Sequence, residues 1–222
     1  MFVGHFGAGL AAKGVAPRVS LGTLFLSVQL ADALWPVLLL SGIEHVRIVP
    51  GIMRVSHLDF WDYPVSHSLL ALTAWGVLFG SVYFLARRYL VGALVVAGGV
   101  VSHWLLDFVA HRPDMPLLPR GPYVGLGLWN SPSATIAVEG GLYAAGIVLY
   151  LRATRARDAV GAWALWTMLL TLPVLWLAAL FGPPPPSEKM LAISALAGWL
   201  LIPWACWVDR HRAARLVSAS SF

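Results

Sequence analysis

Residues 89–111 read YLVGALVVAGGVVSHWLLDFVAH, and this stretch decides the fold. From Leu90 to Val101 every side chain is apolar or absent. As a helix rising ~1.5 Å per residue the stretch measures ~34 Å, enough to cross a hydrocarbon core of ~30 Å. Its last third changes character. His103, Asp107 and His111 stand at i, i+4 and i+8 and so share one helix face. Two imidazoles and a carboxylate then converge on one volume, and these donors suit zinc or a related divalent metal. Gly98 and Gly99 allow a neighbouring helix to approach closely. In a soluble helix the HxxxDxxxH pattern would read as a hydrogen-bonded polar face. Inside a membrane span it reads as a metal site.

Working outward, five further stretches are long and apolar enough to cross: roughly 20–43, 66–86, 133–152, 160–182 and 190–208. A shorter apolar segment, 2–15, predicts a half-inserted or surface helix. The expected fold class is therefore all-α, a polytopic membrane bundle of six spans plus a short N-terminal half-helix. It is read as one membrane domain, 1–222, with a metal-site core in 1–152 and two additional helices in 153–222. Composition agrees. The chain is 59% hydrophobic and 11% charged, against about 25% charged in soluble domains. Eleven Trp and six Tyr suit interfacial belts. The one cysteine, Cys206, excludes an internal disulfide and a Cys-based zinc site. The net charge of +5 comes from basic residues at helix ends, which argues against nucleic acid as a partner. Lys13 and Arg18 follow the first apolar segment, so no signal peptide is expected at the N-terminus.

Lys and Arg divide unequally between the two faces. Lys13, Arg18, Arg87, Arg88, Arg152, Arg155, Arg157, Arg210, Arg212 and Arg215 fall on one side, and Arg47, Arg54, Arg112, Arg120 and Lys189 on the other. The richer side is expected to be cytoplasmic. The loops 44–65 and 112–132 then face outward, which predicts a multi-pass protein of a bacterial inner membrane.

Ionisable residues within spans are costly and point to function. Here they are Asp32, His67, His103, Asp107 and Glu139, joined by His5 in the short segment. Counted from the basic residue of each segment, His5, Asp32, His103 and Glu139 all lie ~20–22 Å up their helices, with Asp107 and His67 at ~28–30 Å. Distant parts of the sequence thus deliver polar groups to one layer. Pro64, Ser66 and Ser68 fit a helix start around His67, and Pro36 loosens the backbone one turn after Asp32. His111 and Asp114 are expected at the mouth. Asp59, Asp62, His45 and His211 read as surface residues. Gly4 to Gly9 follow no strand and form no dinucleotide loop, and no G-x-S-x-G is present.

The order His5, Asp32, Ser66-His67-Ser68, Gly99-Val100-Val101-Ser102-His103 and Asp107 resembles the inner-membrane metal-dependent hydrolase family of the LexA-binding type. It covers about residues 1–150, and the last two helices lie outside it. The ligand order is also similar to zinc-dependent phospholipase C and related nucleases. That resemblance implies one metal held by Asp32, His67, His103 and Asp107, with Asp107 bridging to a second metal at His5. His111 and Glu139 would be candidates for a third. The N-terminal Trp ligand of those enzymes has no counterpart, and the second His of their third site, expected just before Glu139, is missing.

The expected function is a metal-dependent hydrolase acting on a phosphoester of a lipid or amphipathic substrate, with one or two zinc ions as cofactor. Glu139 or Asp32 would be the base, and an outer-loop Arg (47, 54, 112 or 120) would hold the substrate anion. A divalent-cation or proton transporter, or a metal-stapled structural protein, is the alternative class.

Overall fold

The computed structural model describes residues 1–215 of the chain. It is an all-α bundle. Single helices long and apolar enough to cross a membrane are α5 (Leu69–Arg87), α6 (Leu90–Ala110), α7 (Pro132–Ala153), α8 (Ala159–Phe181) and the continuous stretch Glu188–Arg210. The last is α9 (Glu188–Leu196) and α10 (Leu201–Arg210), joined through a 3-10 turn at Ala197–Leu200. Two shorter helices, α2 (Leu21–Val28) and α3 (Leu30–Leu40), bent by 57°, are together long and apolar enough for a sixth crossing. The remaining helices are α1 (Val3–Val15) and a single turn, α4 (Pro64–His67).

The break in the first crossing falls at Gln29, not at Pro36, which sits inside α3. A competing hydrogen bond explains the position. A continuous helix would give the Val28 carbonyl to the amide of Asp32, but here it accepts from Nδ1 of His103 at 2.7 Å. Pro36 in turn brings no amide proton to the carbonyl of Asp32. The start of α5 is likewise interrupted. Pro64 occupies the first position of α4, and Ser68, extended at φ −72° and ψ 145°, caps α5 by accepting from the amide of Ala71 at 3.2 Å. His67 therefore lies on a separate turn beside the span, not within it.

The short segment is no surface helix. Val3, His5, Phe6, Leu10 and Lys13 of α1 are buried, and the helix runs through the bundle against α7, α2 and α6. Glycine makes this possible. A Cβ on Gly7 would lie 2.6 Å from the carbonyl oxygen of Leu142, and one on Gly146 would lie 2.7 Å from Cα of Gly7. The backbones of α1 and α7 thus touch where side chains would hold them apart. On α6, Gly99 faces Ser27 of α2, while Gly98 faces open space. The apolar core around α1 is built from Phe6, Leu10, Phe25, Leu165, Met168 and Leu172.

Outside the spans, β1 (His45–Ile48) and β2 (Leu58–Asp62) form an antiparallel hairpin at the end where α3 stops and α7 starts. At that end too, β3 (Met115–Pro116) pairs with β4 (Tyr123–Val124). At the opposite end β5 (Thr154–Ala156) pairs with β6 (Arg212–Ala214), and the buried Lys13 binds Asp209 at 2.6 Å. Asp158 caps α8 and also binds His211 at 2.8 Å, and that hydrogen bond holds its carboxyl below the usual range.

Replacing Gly7 with Val should force α1 from α7 and cost ~1–3 kcal/mol. The expected result is a lower melting midpoint in detergent, with Gly141→Val, which points into open space on α7, close to wild type.

Candidate metal centre

Each donor reaches the centre because its helix begins, bends or ends there. The first turn of α1 supplies His5, the break between α2 and α3 supplies Asp32, and the separate turn α4 supplies His67. The last two turns of α6 supply His103 and Asp107. All but Asp32 are almost fully buried. The Asp32 side chain is 43% accessible, so the site has one open flank.

Asp107 organises the donors by dividing its two oxygens. Oδ1 lies 3.0 Å from Nε2 of His5 and in contact with the amino group of Met1. Oδ2 lies 3.1 Å from Nε2 of His103 and 3.9 Å from Nε2 of His67. On the second side, Asp32 Oδ1 is 3.5 Å from His67 Nε2 and 3.8 Å from His103 Nε2. Two overlapping groups result, His5–His103–Asp107 and Asp32–His67–His103, and within each the donor atoms lie within 4.8 Å of one another. Donor atoms at ~2.0–2.1 Å from a tetrahedral zinc lie ~3.3 Å apart. The four distances joining Asp32, His67, His103 and Asp107 run from 3.1 to 3.9 Å, at or somewhat beyond that value.

The tautomers support the same reading. Nδ1 of His103 is spent on the Val28 carbonyl. Nδ1 of His67 lies 2.7 Å from Oγ of Ser66, whose hydroxyl donates to Glu44. Glu44 is itself buried and accepts from the amides of Val65, at 2.7 Å, and Ser66, at 2.8 Å. With both Nδ1 atoms donating outward, the lone pairs of Nε2 point inward, as in carboxylate-supported metal-ligating histidines. Nε2 of His103 is buried and has no hydrogen-bond partner among the described residues, with Oδ2 of Asp107 3.1 Å away. Beside the Met1 amino group at Oδ1 of Asp107, a divalent metal among the inward lone pairs would supply the further positive charge that two carboxylates call for. The buried His/Asp group can hold a metal ion.

Two residues expected near the centre serve elsewhere. His111 ends α6 with Nδ1 3.0 Å from Asp114, among the rings of Phe60, Tyr63 and Trp129. It belongs to neither donor group. Glu139 accepts from the amide of Phe2 at 2.7 Å and from the indole of Trp129 at 3.2 Å. It therefore anchors the start of α1, where a carboxylate satisfies an unpaired amide and the helix dipole. Arg112 is bound by Asp59 and Asp114, and Arg47 lies over the ring of Trp61. Burial and the adjacent Asp114 carboxylate hold the Tyr63 phenol well above its usual pKa. It stays protonated and donates to the Asp114 carbonyl at 3.1 Å.

Sequence reasoning missed Glu44, which it left in a mixed outer loop. No local signal marks it, since Glu44 and Ser66 are 22 residues apart and only the fold brings them together. No family model, curated protein or solved structure matches the chain.

Two outcomes follow. Metal measured by mass spectrometry on detergent-purified protein should be present in wild type and absent from His103→Ala/Asp107→Ala. Glu44→Gln should still load at high metal concentration but bind ~10–100-fold more weakly in a chelator competition.

Proposed function

We propose that the protein is a membrane-embedded hydrolase, dependent on one or two zinc ions, that cleaves a phosphoester of a lipid or amphipathic substrate. The observation that carries this reading is the placement of Asp107, whose Oδ1 lies 3.0 Å from Nε2 of His5 and whose Oδ2 lies 3.1 Å from Nε2 of His103 and 3.9 Å from Nε2 of His67. A carboxylate placed so can bridge a pair of metal sites, the arrangement that suits attack on a phosphoryl group. By the ligand-order resemblance, Asp32, His67, His103 and Asp107 would hold one ion, and His5 with Asp107 the second. The ions, when bound, supply Lewis-acid polarisation of the phosphoryl oxygen and acidify a nucleophilic water.

The chain's own groups supply the rest. Both oxygens of Glu139 are occupied by N–H donors, whereas Asp32 stands at the open flank. Asp32 is thus the better placed base. In the reaction a water oxygen bonds to phosphorus, the ester P–O bond breaks, and water's proton passes through Asp32 to the leaving alcohol. The Glu44–Ser66–His67 chain fixes His67, and the Val28 carbonyl fixes His103, so neither ring needs to reorganise. The amphipathic substrate class follows from location, since the donors lie within a bundle of apolar spans. The distribution of Lys and Arg supports an inner-membrane protein with this end of the bundle on the outer face.

The test is phosphate-ester hydrolysis by zinc-loaded protein on phospholipid vesicles, read by mass spectrometry of the products. Asp32→Asn, reloaded with excess zinc, should lose ~10²-fold or more of the rate and bind metal more weakly, and Asp107→Ala should lose both activity and metal. An Asp107→Ala protein as active as wild type would overturn the reading.

A further inference from the structure

Between the bent first crossing and the last two helices lies a cavity of about 600 Å³. Gln29, Asp32 and Trp35 line one wall, Leu175 of α8 another, and Trp199 and Trp204 of the final span a third. The volume falls within the ~300–1,000 Å³ usual for a site that holds one small ligand. It exists because consecutive helices part. α8 packs on α10 but scarcely meets α9, which leans on α3 instead. Trp199 fixes that arrangement, its indole donating to the carbonyl of Ala33 at 3.1 Å. Leu175, Trp199 and Leu200 are exposed along the gap, on spans whose outer surface faces hydrocarbon.

The cavity wall is almost wholly apolar, with one exception that matters. Asp32 belongs both to this wall and to a metal-donor group. Near it, Gln29 Oε1 and the indole nitrogen of Trp35 have no hydrogen-bond partner in the chain. An apolar chamber thus ends at a carboxylate and unused polar groups, which matches a ligand with a hydrocarbon tail and an oxygen-rich head.

We propose that this cavity is a hydrocarbon-chain site that admits one acyl or alkyl chain of a lipid phosphoester sideways from the bilayer, between α8 and α9. The proposal rests on the hydrolase reading and deepens it by naming the substrate's tail. It also gives the last two helices a role: they form the chamber that measures the chain.

Gly198 provides the test, because it lines the cavity and a Cβ there meets nothing within 4 Å. A Phe at this position adds bulk at the chamber's wall where its Cβ meets no neighbour. The probe is phosphatidylglycerol with a diazirine at the end of one acyl chain, presented in phosphatidylglycerol/phosphatidylethanolamine vesicles to full-length, zinc-loaded protein. After illumination, labelled peptides are mapped by mass spectrometry. The label should fall on α8 near Leu175 and on residues 194–204, and drop ~10-fold in Gly198→Phe. Metal content should be unchanged in that variant, and the label unchanged in Gly141→Phe. Ser194→Trp, filling the same space from α9, covers the case in which Gly198→Phe does not fold. Label spread over the outer faces of α5 and α6, or undiminished in a metal-loaded cavity variant, overturns the chain site. Protein that takes the label as described but hydrolyses no phosphoester keeps the chain site and loses the hydrolase. Protein that hydrolyses lipid with label insensitive to both variants does the reverse.

Discussion

The buried carboxylate of Asp107 is the constraint around which the rest of the structure is arranged. An ionised carboxylate inside a membrane bundle is sustained only by cations and hydrogen-bond donors brought to it. The chain brings His5 and the amino group of Met1 to Oδ1, and sets Nε2 of His103 and of His67 beside Oδ2 at 3.1 and 3.9 Å. Satisfying Oδ1 explains why α1 is threaded through the bundle. A helix too short to cross is placed where its first turn meets the carboxylate, and Glu139 holds the adjacent amide of Phe2. The backbone contact at Gly7 and Gly146 is then the packing condition for that placement.

A second regularity is that backbone hydrogen bonds are diverted at the donors. The carbonyl of Val28 serves His103 at the break between α2 and α3, and that break turns Asp32 toward the centre. α4 and α5 are separated by the extended Ser68, which leaves His67 free to approach from the side. Irregular backbone at membrane depth is tolerated where it is buried in protein or lines a cavity. Both breaks satisfy that condition, and both leave a candidate metal donor at the interruption.

How much of this could be read from the chain depends on the range of the interaction. The spans and the alignment of His103 with Asp107 follow from composition and a helical period, both local properties. That His5, Asp32 and His67 join them was visible as a coincidence of depth. The 43% accessibility of Asp32 and the cavity beside it were not, because they depend on α9 leaving α8 for α3. His111 shows the limit of periodicity. It shares the face of His103 and Asp107 on paper, but the helix ends at Ala110 and His111 turns out, extended, to Asp114. Glu44 shows the opposite failure, since a loop carboxylate with no periodic context proves to be the buried support of His67.

The surroundings of the centre also bear on whether it is a site or a route. A carrier would need polar groups that continue from the donors through the other half of the membrane. Beneath them Ser27 spends its hydroxyl on the carbonyl of Leu24 and is closed over by Gly99. Past Ser27 the packing is Ala16, Val19, Leu24 and Val96, all fully buried and apolar. The next buried charge, Lys13, is already neutralised by Asp209 near the far end. Among the donors, openness appears on the flank of Asp32, and the cluster packed below Ser27 is apolar. An apolar layer beneath and an opening beside fit the proposed reaction site served from the bilayer better than a conduit across it.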